Sequence, residues 1–379
     1  MRTNPVLDEL GSYAIAELQE KARLLRSQGE PVLDFSIGDP IEPTPGFIRH
    51  AVAGAVPEVS QYPTVPGLPE LRQALAGYVE RRLGIEVDPE SQVLPTSGSK
   101  EAIFSAAMAF CSEGDLVVWP SPGYPIYERG ARLTGSATHT VQLTGDFVLT
   151  PEQIPAEIWG RARLLWINYP HNPTGAVASR SALESLYRAS REHGTLLCTD
   201  DCYLDIYEGD TPASALQVAD QGFTGMLSFL SLSKRSGMTG YRSGAIIGDA
   251  DAIAALRLLR TSTGTAPPEF VQAGAIEAWS DDDHVSERRK VFAEKRGVLR
   301  AAFESIGLEV IASKAAIYLW VAVPDEVAAA DRLLAQNVVV SPGHTFGPGG
   351  EGFLRLALVP SFEQCEEAAG ILKECLTGI

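Results

Sequence analysis

"LSFLSLSKRSGMTGYRSGAIIG", residues 227–248, decides how the rest of the chain is read. Its two ends, Leu227–Leu232 and Gly244–Gly248, are short apolar runs, as expected of strands buried on both faces. Between them lies a segment that no buried strand would hold. Lys234 sits among Ser231, Ser233 and Ser236, eight positions before Arg242, in a stretch with Gly237, Gly240 and Gly244. A surface lysine needs no such company. Ser231-x-x-Lys234 is the spacing of acyl-transferring enzymes with a serine nucleophile. The other reading makes Lys234 itself the nucleophile, forming a Schiff base with a carbonyl. The companions of the serine reading, S-D-N and K-T-G, occur nowhere in the chain, which leaves the chemistry with Lys234.

Outward from this stretch, further runs have the same character: "QVLPT" (92–96), "DLVVWP" (115–120), "LLWIN" (164–168) and "TLLCTD" (195–200). Helical patterns separate several of them. That alternation predicts an α/β fold with a mainly parallel sheet sandwiched by helices, in which ligands bind at the carboxyl ends of the strands. Tyr13–Gln28 reads as an amphipathic helix, with Leu18, Ala22 and Leu25 on one face and Gly29 as its stop. "PVLDFSIG" (31–38) is a strand entering a Pro-rich loop over 39–45, and Leu71, Leu75 and Val79 mark a helix closed by Gly84. Residues 279–303 read as one long helix. Beyond it, "AIYLWVAV", "VVVSPG" and "FLRLALV" are strands among fewer helices, as in a smaller α+β domain.

Composition narrows the function. At 379 residues the chain is long enough for two domains, and its 45% hydrophobic and 21% charged content is that of a globular protein. A formal charge of −17 argues against nucleic acid and anionic membranes as partners, while leaving room for an anionic small molecule held by a few arginines. The longest apolar run, Ala315–Val323, is too short to span a bilayer. Asp8, Glu9, Glu17 and Glu20 are unlike a transit peptide, and no apolar leader is seen at the start. Cys111, Cys198, Cys202, Cys365 and Cys375 lack CxxC spacing and read as reduced thiols, so a cytoplasmic location is expected.

Four further segments are candidate sites. "PTSGSKEAIF" places Gly98-Ser99-Lys100 between a strand end and a helix start, either an anion site or an ordinary cap formed by Ser99 with Glu101 in the first turn. "NYPHNPTGAV" (168–177) is a Pro/Gly turn, with His171 as a loop hydrogen-bonder. "CTDDCYLDIY" ends a buried strand with Asp200 and Asp201, carboxylates that need a partner or a cation. Tyr203 can reach the same cavity, and no ligand set for a metal accompanies them. "FGPGGEG" (346–352) has dinucleotide-like glycine spacing but leads into a strand, and so reads as a flexible loop.

In order and spacing, these segments resemble the pyridoxal phosphate-dependent aminotransferases of classes I and II, of fold type I, over nearly the whole chain. The resemblance implies that Lys234 holds pyridoxal 5′-phosphate as a Schiff base. Asp200 matches the carboxylate facing the ring nitrogen, Tyr203 and Asn172 the groups bonding the 3-oxygen, and Tyr124 the aromatic ring stacked on the cofactor. Ser99, Lys100, Ser231, Ser233 and Arg242 match the phosphate cup. Tyr62 matches a tyrosine reaching the phosphate from a second subunit, which implies a homodimer with shared sites. Arg355 matches the grip on the substrate α-carboxylate, with Gly38 beside it and Asn172 in reach. No metal is implied.

The implied division is residues 1–45 as an N-terminal arm and part of the small domain, 46–280 as the large cofactor-binding domain, and 281–379 as the small C-terminal domain. The small domain would thus be formed by both chain ends. "YPTVPGLPELRQAL", "SLSKRSGMTGYRSG", "AIEAWSDDDHV" and "YLW" are most similar to bacterial succinyldiaminopimelate aminotransferases. That implies N-succinyl-L,L-diaminopimelate as amino donor and 2-oxoglutarate as acceptor, in lysine and diaminopimelate synthesis. Alternatives are donors such as LL-diaminopimelate, aspartate or an aromatic amino acid, a lyase on the same fold, or the sensing domain of a regulator. A distal carboxylate needs a further cation. Arg235 is a candidate, unless it pairs with a carboxylate of the large domain, and the hydroxyl-rich 260–270 stretch is another.

Overall fold

The computed structural model describes residues 3–10 and 14–379. Seven strands form the principal sheet: β1 (Val93–Thr96), β2 (Leu116–Ser121), β3 (Ala137–Gln142), β4 (Ala162–Ile167), β5 (Leu196–Asp200), β6 (Met226–Ser231) and β7 (Gly244–Gly248). Their order is β1-β7-β6-β5-β4-β2-β3. All pairings are parallel except those of β7, which runs antiparallel to both β1 and β6. The expected mainly parallel sheet is present, with one reversed strand.

The apolar runs form this sheet because both of its faces are covered. Successive side chains of a strand point to opposite faces, so a strand buried on both must be apolar at every position. In β4, Leu165 and Ile167 join one apolar core while Leu164 and Trp166 join the other. The edge strand β3 was not anticipated. Its sequence, ATHTVQ, is polar, and only Val141 is fully buried, so it carries no apolar run to read.

Helix α1 (Ala14–Ser27) buries Ala22 and half-buries Leu18 and Leu25; Tyr13, expected to begin it, lies outside the described residues. Helix α2 (Pro69–Leu83) starts on proline, buries Leu71, Leu75 and Val79, and ends at Gly84 with φ 70°. That left-handed conformation is one glycine adopts without steric cost.

A second core takes residues from both chain ends. Leu33 and Phe35 pack with Leu319, Val321, Leu354 and Leu356, four residues of an antiparallel sheet. That sheet is made of β8 (Val310–Ile311), β9 (Tyr318–Ala322), β10 (Ser341–Pro342) and β11 (Phe353–Ala357), in the order β10-β11-β9-β8. The 346–352 loop before β11 is not the flexible segment expected. Gly123 N donates to Phe346 O at 2.9 Å and Ser121 Oγ to Pro348 O at 2.8 Å, fastening it to the end of β2.

Beneath the lysine turn lies a buried ion-pair network. Asp205 accepts from Tyr78 Oη (2.9 Å) and Arg82 Nε (2.9 Å) of α2, and from Arg235 Nε (2.8 Å). Arg235 also donates to Asp282 Oδ1 at 2.6 Å, and its guanidinium lies over the rings of Tyr78 and Trp279. Of the two roles open to it, Arg235 therefore has the scaffold role. Burial alone would raise the Asp205 carboxyl, but Arg235 and Arg82 outweigh it and hold it below the ordinary aspartate range. Removing one partner of such a pair strands the other charge in the interior, at about 3–5 kcal/mol. Asp205→Asn should lower the unfolding free energy by that order, measured by urea titration.

Candidate active site

A cavity of about 330 Å³ opens at the carboxyl ends of β5 and β6, lined by twelve of the thirteen anticipated residues: Gly38, Ser99, Lys100, Tyr124, Asn172, Asp200, Tyr203, Ser231, Ser233, Lys234, Arg242 and Arg355. The thirteenth, Tyr62, is 99% exposed and lies outside it. A larger cavity of about 570 Å³, against Trp119 and Phe346, contains none of the thirteen.

Lys234 is carried on α4 (Leu232–Arg235), a single turn capped by Ser231, whose Oγ accepts from Ser233 N at 3.1 Å. Its Nζ donates to the Gly38 carbonyl. Burial disfavours the ammonium, only partly opposed by Asp39, and lowers its pKa to about 8. Asp200, 4% exposed, ends β5. Its Oδ2 accepts from Tyr127 Oη at 2.9 Å and its Oδ1 from Cys202 N at 3.3 Å, and burial raises its pKa. A cation in the cavity would reverse that shift.

Tyr203 Oη and Tyr318 Oη are 2.7 Å apart. A Cβ on Gly38 would come within 2.5 Å of Tyr318 Oη, so this position has no room for a side chain. Arg355, 2% exposed, donates from Nη1 to Asn172 Oδ1 at 3.0 Å and from Nη2 to the Ser36 carbonyl. Its guanidinium lies 4.5 Å from the Tyr318 ring centre and 4.4 Å from that of Phe346. Asn172 is fixed in turn by Asn168 Oδ1, which accepts from its amide at 2.7 Å.

The other end of the cavity is built for an anion. Helix α3 (Ser99–Phe110) is capped by Gly98, not by Ser99, which lines the cavity instead. Glu101 accepts from Ser97 N at 2.9 Å and pairs with Arg260 at 2.8 Å. Ser99, Ser231 and Ser233 gather with Lys100 and Arg242. Burial, then repulsion from Arg242 and Arg129, lowers the Lys100 ammonium, a mutual penalty that a bound anion would relieve. Arg242 has φ 57°, an uncommon backbone state for a residue other than glycine, and its guanidinium covers Gly98, where a Cβ would lie 2.4 Å from Nη2.

Four cavity residues were missed. Ile37, Cys202 and Tyr318 were in quoted segments, but nothing in the sequence aims them here. Gln19, from α1, also lines the cavity. Tyr127, the partner of Asp200, was not singled out by any pattern in the sequence. His171 stays outside the cavity lining, its Nδ1 2.8 Å from Thr174 Oγ1.

A sheet of this topology, with its amine on a turn between a parallel strand and a reversed one, is the large domain of a fold type I enzyme. The chain belongs to the aminotransferase class I and II family, whose profile matches residues 30–372, and it is an aminotransferase. It is 36% identical over 383 aligned residues to an LL-diaminopimelate aminotransferase of Dehalococcoides mccartyi, covering 98% of each chain. The crystal structure of an aminotransferase from Neisseria meningitidis matches with a TM-score of 0.91 at 32% identity, over 99% of this chain and 100% of that one. A probable N-succinyldiaminopimelate aminotransferase from Thermus thermophilus matches with a TM-score of 0.90 at 29% identity, over 96% and 100%.

Burial lowers the His171 pKa to about 3, so the folded chain keeps a neutral ring. Below about pH 6.5 the unfolded chain takes up a proton that the fold refuses, costing about 1.4 kcal/mol per pH unit until the folded pKa is reached. His171→Gln should therefore lose stability less steeply than wild type between about pH 6.5 and 4, measured by urea unfolding at each pH.

Proposed function

We propose that this aminotransferase holds pyridoxal 5′-phosphate at Lys234 and moves an amino group from a diaminopimelate-type donor to 2-oxoglutarate, a step of lysine and diaminopimelate synthesis. The observation that carries the cofactor reading is the pairing, in one cavity, of an amine depressed to about 8 with a buried carboxylate and a hydroxyl–cation cup. The donor set suits the cofactor: an anion cup for phosphate, Asp200 for a ring N–H, and an amine for its aldehyde. When bound, the cofactor supplies a carbonyl that captures the amino group and a ring that delocalises the electron pair left on Cα.

The rest is done by side chains. Lys234, its amine deprotonating through about pH 8, is the nucleophile and later the base that moves the proton from substrate Cα. Asp200 keeps the ring nitrogen protonated, and the Tyr127 hydroxyl orients that carboxylate. Tyr203 and Asn172 hold the 3-oxygen, Tyr203 being itself bonded to Tyr318. Tyr124 stacks on the ring. Ser99, Lys100, Ser231, Ser233 and Arg242 bind the phosphate. Arg355, with Asn172 and Gly38 beside it, takes the substrate α-carboxylate in a bidentate pair. A homodimer in which Tyr62 reaches the partner's phosphate cup is supported by the full exposure of that side chain, near the exposed Val56 and Val59.

The names of the relatives favour unacylated LL-diaminopimelate as first donor, and the Thermus neighbour supports the N-succinyl form as second. The test is purified protein with 2-oxoglutarate and each donor, assayed for glutamate. Turnover of aspartate or aromatic amino acids alone would overturn the diaminopimelate reading. Pyruvate and ammonia released without an oxo acid would replace transamination by elimination.

Two outcomes are expected for the amine. Lys234→Ala should lose the visible absorbance of the borohydride-reducible adduct, while a reducible adduct on Lys100 would refute the assignment. Because burial lowers the Lys234 pKa, the fraction of free amine rises with pH through about 8. The rate at which apo protein forms the adduct should climb across that range, followed by stopped-flow absorbance. A climb only near pH 10.4, the ordinary lysine value of about that size, would remove the depressed amine.

A further inference from the structure

We propose that Arg288 is a positioning residue for the Lys234 amine, a role that rests on the reading of Lys234 as the reacting group. Helix α4 has four residues and cannot satisfy its own last carbonyls. Arg288 Nε donates to the Lys234 carbonyl at 3.1 Å, fixing the peptide from which the reacting side chain springs. Room for the guanidinium comes from Gly237, with φ 67°, where a Cβ would lie 2.8 Å from Arg288 Nη1.

Arg288 belongs to α5 (Asp283–Ser305), and one turn earlier on the same face His284 Nε2 lies 2.8 Å from Ser236 Oγ. The beginning of α5 therefore grips the lysine turn at two points, one helical turn apart. Farther along, Phe292, Leu299 and Phe303 of the same helix are packed in the second core. The lysine turn is thus tied through a continuous helix to the small-domain core.

The position is a costly one. Arg288 is 6% exposed, and among the described residues its buried Nη2 makes no hydrogen bond. A buried guanidinium nitrogen left unpaired destabilises the fold. A purely structural contact at this point could be made more favourably by an apolar side chain, whereas fixing a carbonyl requires a donor.

The test uses the full chain loaded with pyridoxal 5′-phosphate and compares Arg288→Gln, Arg288→Lys and Ser236→Ala with wild type. Each is titrated with pH while the visible absorbance of the Lys234 adduct is followed, and thermal unfolding is recorded beside it. In Arg288→Gln the titration midpoint should move by at least about half a pH unit. kcat should fall about tenfold, with KM for the amino donor changing less than about twofold, since Arg288 does not line the substrate cavity. Arg288→Lys, which keeps a donor and a charge, should recover part of both effects. Ser236→Ala, a milder change, should shift the midpoint in the same direction and by less, and it keeps the test decisive if Arg288→Gln does not fold. An unchanged midpoint and kcat in folded variants, with only the melting temperature lowered, would overturn the proposal. Absence of any adduct in the wild type would instead refute the role given to Lys234.

Discussion

Lys234 and Arg235 are neighbours on one turn of helix, about 100° apart around its axis, and must face different surroundings. The Arg235–Asp205 ion pair enforces this. With Arg235 held 2.8 Å from a carboxylate inside the protein, the preceding side chain is turned into the cavity. The same carboxylate takes Arg82 and Tyr78, so one buried group orients the helix α2, the lysine turn and, through Arg235 and Asp282, the start of α5. Buried ion pairs contribute little net stability but penalise every arrangement that breaks them. Here that penalty selects one orientation of the turn.

Around this fixed point the cavity gathers its cations in two groups. At one end, Lys100 and Arg242 stand with three serines, and at the other Arg355 is clasped by Asn172 and two aromatic rings. The rings cover the guanidinium faces, while Asn172 Oδ1 and the Ser36 carbonyl accept from its edge. Asp200 is the buried carboxylate of a cavity whose lining is otherwise rich in donors. Cations set against a background of −17 give the site its own sign, opposite to that of the whole molecule.

Much of this was legible from residue order alone. Buried strands announced themselves as apolar runs because both faces of the sheet are covered, and the polar segments that interrupt those runs at Asp200 and Ser231–Arg242 marked the site. What escaped the reading escaped for physical reasons. The edge strand 137–142 has solvent on much of its surface and needs no apolar pattern. Tyr127, Tyr318 and Arg288 reach their partners across long stretches of chain, and nothing in the spacing of residues 120–127 or "AIYLW" encodes a contact made only after folding. Arg235 showed the limit most plainly: adjacency to Lys234 left a substrate role and a carboxylate pair both open, and the fold made the pair. The cap of α3 fell one residue earlier than expected because Gly98 adopts φ 83°, which a serine resists.

The reversed direction of β7 has a consequence for how such a site can diversify. Ser231 and Gly244 are paired in register across β6 and β7, so the intervening segment, which carries the lysine, is a closed span whose two ends are stitched together. A residue added or removed there would shift the lysine turn and Arg242 between those two fixed ends. The loops leaving β4 and β5 lead into helices or turns and carry no such lock. New substrate preferences can therefore be written into those loops, into α1 and into the 346–352 loop, while the lysine span keeps its length.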